Sequence, residues 1–227
     1  MNRTSPGAGA AALPSKKRAT IARLLKEARQ AFSVKGLAGA RVDDIARAAG
    51  VTKQLVYHYF SSKEQLFASV LDESAEGVLA DLLALDLDHL QPTAALRSFL
   101  EYAFDQYRTD PTLGLLAQEG LRYHEQNTDE CRRFPDKAPA LVAQVERILR
   151  RGEQSGEFRA GTDARLFYAA SALLTTGGFT NRYTVSAVSG FDSTSPEGIA
   201  VWRRFSVEFV LAAVLSGERP VLARPAQ

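Results

Sequence analysis

From residue 21 almost to the end of the chain, apolar residues recur at steps of three and four, and nowhere do they alternate long enough to make a strand. Ile21, Leu24, Leu25, Ala28, Ala31 and Phe32 fall on one stripe. They predict a first helix that Ser15 opens as N-cap and that runs to about Lys35. Gly36 then ends it, because glycine adopts the left-handed conformation of a helix stop without a Cβ penalty. A second helix is predicted over about 42–49 and a third over about 53–59. Ser61 or Ser62 caps a fourth: each has Glu64 or Gln65 three positions later, the capping-box spacing. That helix continues through Phe67, Val70, Leu71, Val78 and Leu82. Beyond Pro92 the pattern predicts helices over about 93–109, 112–126, 136–155, 163–187 and 196–216. Breaks fall at Asp110-Pro111, near Phe134-Pro135, and across 156–161 and 190–196. The expected fold is all-α with about nine helices. Residues 1–15 are small and proline-punctuated without periodicity, and are expected to form a disordered tail. Residues 218–227 are expected to be a C-terminal tail.

The second and third helices are short and separated by a tight link, which makes them cross steeply. Gly50 tolerates the positive φ such a link needs, and Val51 plugs the angle between the helices. Ile45, Ala46, Ala49, Val51, Val56 and Phe60 would seal a small three-helix core. Thr52, Lys53, Gln54, Tyr57 and His58 are left facing outward. A face combining a cation, an amide, a hydroxyl and rings suits phosphates and base edges.

Charge sharpens this picture. Residues 1–65 hold twelve Lys/Arg against four Asp/Glu, whereas the remainder holds 16 basic and 22 acidic residues. A basic front end on an acidic body fits a polyanion-binding module joined to something else. The single cysteine, Cys131, excludes an internal disulfide framework and fits a reducing, cytoplasmic setting. The basic cluster Lys16-Lys17-Arg18 follows the alanine/glycine run of residues 7–13 rather than preceding it, so no secretory signal is expected. No run approaches the length of a membrane span.

Together these residues carry a resemblance. The run Ile45-Ala46, Ala49-Gly50-Val51-Thr52-Lys53, Leu55-Val56-Tyr57-His58-Tyr59-Phe60, Lys63-Glu64 and Leu66-Phe67 looks like the N-terminal domain of the TetR (tetracycline-repressor-like) family. The likeness covers roughly residues 20–67. It implies a helix-turn-helix DNA-binding domain over 16–61, working as half of a homodimer, and a helical effector-binding and dimerisation domain over 62–217. The third helix would lie in the major groove. Lys53 can reach guanine O6/N7, and Gln54 can pair with adenine N6/N7. Tyr57, His58 and Lys63 are placed for phosphates, and Thr52 starts the helix and adds a phosphate contact. Arg41 stands where the family commonly has a Ser or Thr cap. Arginine caps poorly, so Arg41 is expected to trade capping for a phosphate contact. A second, shorter likeness lies in Gly178-Phe179-Thr180-Asn181-Arg182-Tyr183-Thr184 and Ser186 to Gly190. It is similar to a segment of TetR-type regulators of pyrimidine and nicotinate catabolism. The alternative is a helix end stitched by polar side chains.

The body offers a seam and a pocket. The 163–187 segment is rich in small residues, among them Ala169, Ala170, Thr176, Gly177 and Gly178, and the 196–216 segment carries Ile199, Trp202, Phe205, Phe209 and Ala213 at helical spacing. Two such helices from each of two copies can make a four-helix seam. Its expected members are Ala169, Leu173, Thr176, Trp202, Phe205 and Phe209, with packing inside one chain as the alternative. Phe99, Tyr102, Gln106, Glu119, Tyr123 and Asn181 are the candidate lining of an effector pocket, Glu119 being its charged group. For each of them, ordinary core packing is the competing reading.

An enzyme is not expected. His58, His89 and His124 form no ligand cluster, and Cys131 has no partner at catalytic spacing. No Gly-x-Ser-x-Gly, phosphate-cradling glycine loop or His-Glu-x-x-His occurs. No catalytic residue, metal site or cofactor is expected. The predicted partners are double-stranded operator DNA, a second copy of the chain and a small-molecule effector, with no membrane. The predicted function is a transcriptional regulator, of which repression on a palindromic operator is the usual family outcome. A ligand-responsive activator and a helical protein-interaction module are the alternatives.

Overall fold

A computed structural model describes residues 15–126 and 133–217, so the expectations for the N-terminal tail, Cys131 and residues 218–227 lie outside the described residues. The chain divides into two units between Phe67 and Ala68. In the first, α1 (Ser15–Gly39) buries Leu24, Leu25, Ala28 and Phe32, the stripe its periodicity dictates. Gly36 breaks its helical geometry with φ 65° and ψ 175°, and the chain turns there before α2 (Val42–Ala48). Gly50 takes φ 66° in the link to α3 (Lys53–Tyr59), a conformation in which any Cβ is strained. Ile45, Ala46, Ala49, Val56 and Phe60 are buried beneath these helices. Phe32 meets Phe67 edge-on at 5.0 Å and closes the small core.

Helix α4 (Lys63–Leu83) starts in the first unit and ends in the second. Ser62, not Ser61, is its cap: the Gln65 amide N–H donates to Ser62 Oγ at 3.0 Å, and the Ser61 hydroxyl donates to Gln65 Oε1 at 2.8 Å. The second unit continues with α5 (Pro92–Thr109), α6 (Pro111–Gln126), α7 (Arg133–Ser155), α8 (Ala164–Thr180), α9 (Arg182–Ser189) and α10 (Pro196–Ala212). Helix α5 is central and packs on α6, α7, α8 and α10. Leu96, Phe99 and Leu100 from α5, Leu141 and Val145 from α7, and Val207 and Leu211 from α10 form its core. The only strand-like pairing among the described residues is one isolated bridge, Phe158 to Leu215.

There are ten helices among the described residues rather than about nine, because the segment expected as one helix over 163–187 is two. Asp163 caps α8 by accepting from the N–H groups of Arg165 and Leu166. At the other end Asn181 leaves helical geometry at φ −123°, ψ 40°. Its side-chain amide donates to Thr180 Oγ1, and Arg182 Nε donates to the Phe179 carbonyl. The two preceding glycines, Gly177 and Gly178, weaken the helix just before this point. Gly178 has a further reason to be small: a Cβ there would lie 2.5 Å from Trp202 Cδ1.

Ion pairs join α5 to α10. Arg97 binds Glu208 through two bonds of 2.6 and 3.1 Å, and Arg203 binds Asp105 through two of 3.2 and 2.8 Å. Partial burial alone would push the Asp105 carboxyl up. Hydrogen bonds from Arg203 and Arg108 more than offset it and hold the carboxyl below its usual range. A carboxylate depressed in the folded state contributes stability above its unfolded pKa of about 4, and that contribution is lost as pH falls through the folded value. Asp105→Asn is therefore expected to lower stability at neutral pH and flatten its decline below about pH 4, read by acid unfolding followed by circular dichroism. An unchanged acid slope would remove this carboxylate from the account.

Candidate functional site

The outward face of α3 is built by local rules. Thr52 caps the helix, its hydroxyl accepting from the Leu55 N–H at 3.2 Å, an interaction of about 1 kcal/mol. Val56 is the buried residue of α3, which leaves Lys53, Gln54, Tyr57 and His58 exposed, as the sequence pattern requires. Tyr59 is half-buried beneath Lys17, whose Nζ stands 5.5 Å from the ring centroid. Arg41 is extended, exposed and makes no side-chain cap hydrogen bond to α2. Asp43 and Asp44 in the first turn supply the negative charge favoured at that end.

Four of the seven expected DNA-facing residues share one groove. It has a volume of about 460 Å³ and is lined by Arg41, Lys53, Tyr57 and Lys63, together with the carboxylates Asp43 and Glu64 and the hydroxyl of Ser62. Lys63 Nζ donates to the carbonyls of Ala38 and Ala40, each at 3.4 Å, which ties the start of α4 to the link before α2. Lys53 Nζ donates to Asp43 Oδ2 at 2.8 Å. That hydrogen bond, and then the carboxylate's charge, raise the Lys53 pKa, so its ammonium stays charged. Thr52, Gln54 and His58 are exposed on the same short segment but do not line the groove.

In the second unit the expected pocket residues are dispersed. Phe99 (2% exposed) is part of the apolar core and Tyr123 (3% exposed) is buried. Tyr102 is exposed, although it sits on the same helix as Phe99. Gln106 donates to Asp81 Oδ2 at 3.2 Å, and Glu119 pairs with Arg122 at 3.5 Å. Asn181 is exposed at the α8–α9 junction. None of the six lines the cleft of about 500 Å³ between α7 and the start of α8, whose walls include Glu146, Arg150, Glu153 and Arg165.

The sequence reading missed Tyr168 on α8. Its ring lies 6.3 Å from Phe99, and burial, with a smaller effect from Tyr107, pushes its hydroxyl up to about 12. Tyr107 is raised by burial as well, and its ring stacks on Phe179 at 5.9 Å. The two phenols therefore sit on helices that pack against each other, α5 and α8, among aromatic rings. A tyrosine at helical spacing within a small-residue run was the only available signal.

The residues expected at a dimer seam separate into two kinds. Trp202 covers Gly178 and donates to the Leu174 carbonyl at 3.2 Å, so it packs within its own chain. Thr176 donates to the Ala172 carbonyl. Ala169 and Leu173 on α8 and Phe205 and Phe209 on α10 are exposed, Leu173 to 74%. The rings of Trp202, Phe205 and Phe209 follow one another at 5.8 and 5.7 Å.

Residues 24–70 match the family model described as bacterial regulatory proteins, tetR family, and residues 92–210 match the tetracyclin repressor-like C-terminal domain. The chain is 29% identical to the HTH-type transcriptional repressor NicS of Pseudomonas putida over 191 residues, 83% of this chain and 89% of NicS. It is 32% identical to the HTH-type transcriptional regulator RutR of Escherichia coli over 138 residues, 58% of this chain and 62% of RutR. The solved structure of SmeT, the repressor of the Stenotrophomonas maltophilia multidrug efflux pump SmeDEF, shares the fold. It has a TM-score of 0.61 at 19% identity, across 92% of this chain and all of SmeT. With a family model matched over just over half its length, the chain belongs to the TetR family of bacterial regulatory proteins.

Proposed function

We propose that this protein is a cytoplasmic transcriptional repressor that reads a palindromic operator as a homodimer and is released when a small effector occupies its second unit. The exposed face of α3 beside the Arg41–Lys53–Tyr57–Lys63 groove carries the proposal. Arg41, Tyr57, His58 and Lys63 hold phosphates, with Thr52 at the helix start, while Lys53 and Gln54 meet base edges. Repression is the activity of NicS, to which the chain is similar over 83% of its length. Exposed Leu166, Leu173, Phe205 and Phe209 support a second copy as partner, since a monomer rarely leaves large apolar side chains clustered in water. Ala169, Thr176 and Trp202 complete the proposed seam.

For the effector, Gln106, Glu119, Asn181 and Tyr102 keep exposed atoms, whereas Phe99 and Tyr123 become accessible only if neighbours move. The Tyr107–Tyr168 pair adds two hydroxyls to the set. Helix α4 carries the chain from one unit to the other, so an effector that favours one conformation of the body shifts the population able to bind DNA.

The test is selection from a randomised duplex pool by the purified full-length protein, followed by sequencing of the retained fraction. A palindrome with half-sites about 34–36 Å apart, or a multiple of that, is expected. Affinity should fall linearly in log K against log salt. No enrichment, or binding indifferent to salt, would sink the reading. Leu173→Asp with Phe209→Asp is expected to give a monomer by sedimentation and to lose the palindrome's cooperative binding. A variant that stays dimeric would exclude this surface as the seam.

A further inference from the structure

The groove that gathers Arg41, Lys53, Tyr57 and Lys63 is also lined by two carboxylates, Asp43 and Glu64, and of these Asp43 is bonded to the lysine at the start of α3. Asp43 stands in the first turn of α2 and accepts from Lys53, the first residue of α3, at 2.8 Å. Both side chains are about half exposed (50% for Lys53 and 56% for Asp43), so the pair does little to hold the fold together. The neighbouring Asp44 differs: it is engaged by Arg47 at 3.2 Å and by Lys35 at 3.8 Å. Removing Asp43 would raise the attraction of this surface for any DNA, since its negative charge offsets that of Lys53 and opposes the phosphate backbone. Besides supplying first-turn charge to α2, as Asp44 does as well, Asp43 is the carboxylate that takes hold of Lys53.

A lysine ammonium on a flexible four-carbon stem is a poor discriminator, because it reaches the nearest phosphate as readily as a base. Asp43 occupies one of its three donors and restricts where the other two point. Resting on the DNA-reading assignment above, we infer that Asp43 is a positioning residue for specificity. It holds the Lys53 ammonium over the groove so that the free donors meet guanine O6/N7, and its carboxylate repels a backbone that approaches out of register. Binding to unrelated DNA is thereby weakened more than binding to the operator.

The experiment repeats the randomised-duplex selection with Asp43→Asn, Lys53→Ala and the double variant, and measures affinity for the selected and an unselected duplex across a salt series. For Asp43→Asn, affinity for the unselected duplex should rise several-fold. The salt slope should steepen by about one per protomer, and enrichment of the base read by Lys53 should fall roughly tenfold. In the Lys53→Ala background the same change should leave base enrichment untouched, which a merely structural role for Asp43 would not produce. An Asp43→Asn protein with the wild-type base profile and salt slope overturns the inference. So does one that loses selected and unselected binding equally along with its melting temperature, and Asp43→Ala, read in parallel, must agree. If the wild-type protein selects no sequence at all, the DNA-reading assignment falls and this inference with it.

Discussion

Replacing both Lys53 and Gln54 by alanine is expected to weaken binding to the selected duplex by roughly 10,000-fold, while binding to unselected DNA changes by less than about tenfold. Each base-edge contact discriminates by roughly tenfold, and a dimer loses two contacts from each copy. The two side chains are exposed on α3, and the buried residue of that helix is Val56, so the melting temperature should not move. Arg41, Tyr57 and Lys63, the proposed phosphate contacts, are still present in the groove, and non-specific affinity is therefore expected to survive. Fluorescence anisotropy at fixed salt with both duplexes reads the result. Equal losses on the two duplexes would make Lys53 and Gln54 phosphate contacts, and no loss would remove α3 from the interface.

Phe99→Ala is expected to destabilise the second unit by about 3–5 kcal/mol, lowering its melting temperature by on the order of 10 °C. The reason is its position. Phe99 is 2% exposed, with Leu96 and Leu100 from its own helix, and Leu141 and Val207 from α7 and α10, in the same core. Truncation removes the ring from an interior that has little freedom to collapse around the void. A loss of less than about 1 kcal/mol would instead mean that the ring borders open space, as a ligand-pocket wall would. The experiment thus separates the two roles that the sequence left open for this residue.

Those two predictions rest on features of unequal legibility. The face of α3 was readable because it depends on residues within one turn of each other: Thr52 as cap, Val56 buried, Lys53 and Gln54 outward. Ser62 as the working cap of α4 needed coordinates, since Ser61 offers the same spacing to Glu64. The body was harder. A 25-residue helical pattern over 163–187 concealed the break at Asn181, because amphipathic periodicity does not register a residue that leaves the helix while its neighbours stitch the ends together. Arg97 and Arg203 fall among apolar residues, and nothing local announces that Glu208 and Asp105 lie opposite them. Phe99 and Tyr102 are three positions apart on α5, but burial depends on what covers each of them, and Tyr102 is left uncovered where Phe99 is not.

By itself the sequence determined the all-α class, the helix-turn-helix with its glycine-dependent link, which residues of α3 are exposed and the basic charge of the first 65 positions. All of these follow from spacing of three and four residues, from capping chemistry and from composition, which act over one or two helical turns. Only the tertiary structure decided that Asp43 takes Lys53, that Trp202 packs on its own chain while Leu173, Phe205 and Phe209 stay exposed, and that Tyr107 and Tyr168 lie on facing helices. These outcomes depend on which helices pack against one another and at what rotation. That is settled by side chains up to about a hundred positions apart, as in the pairing of Asp105 with Arg203.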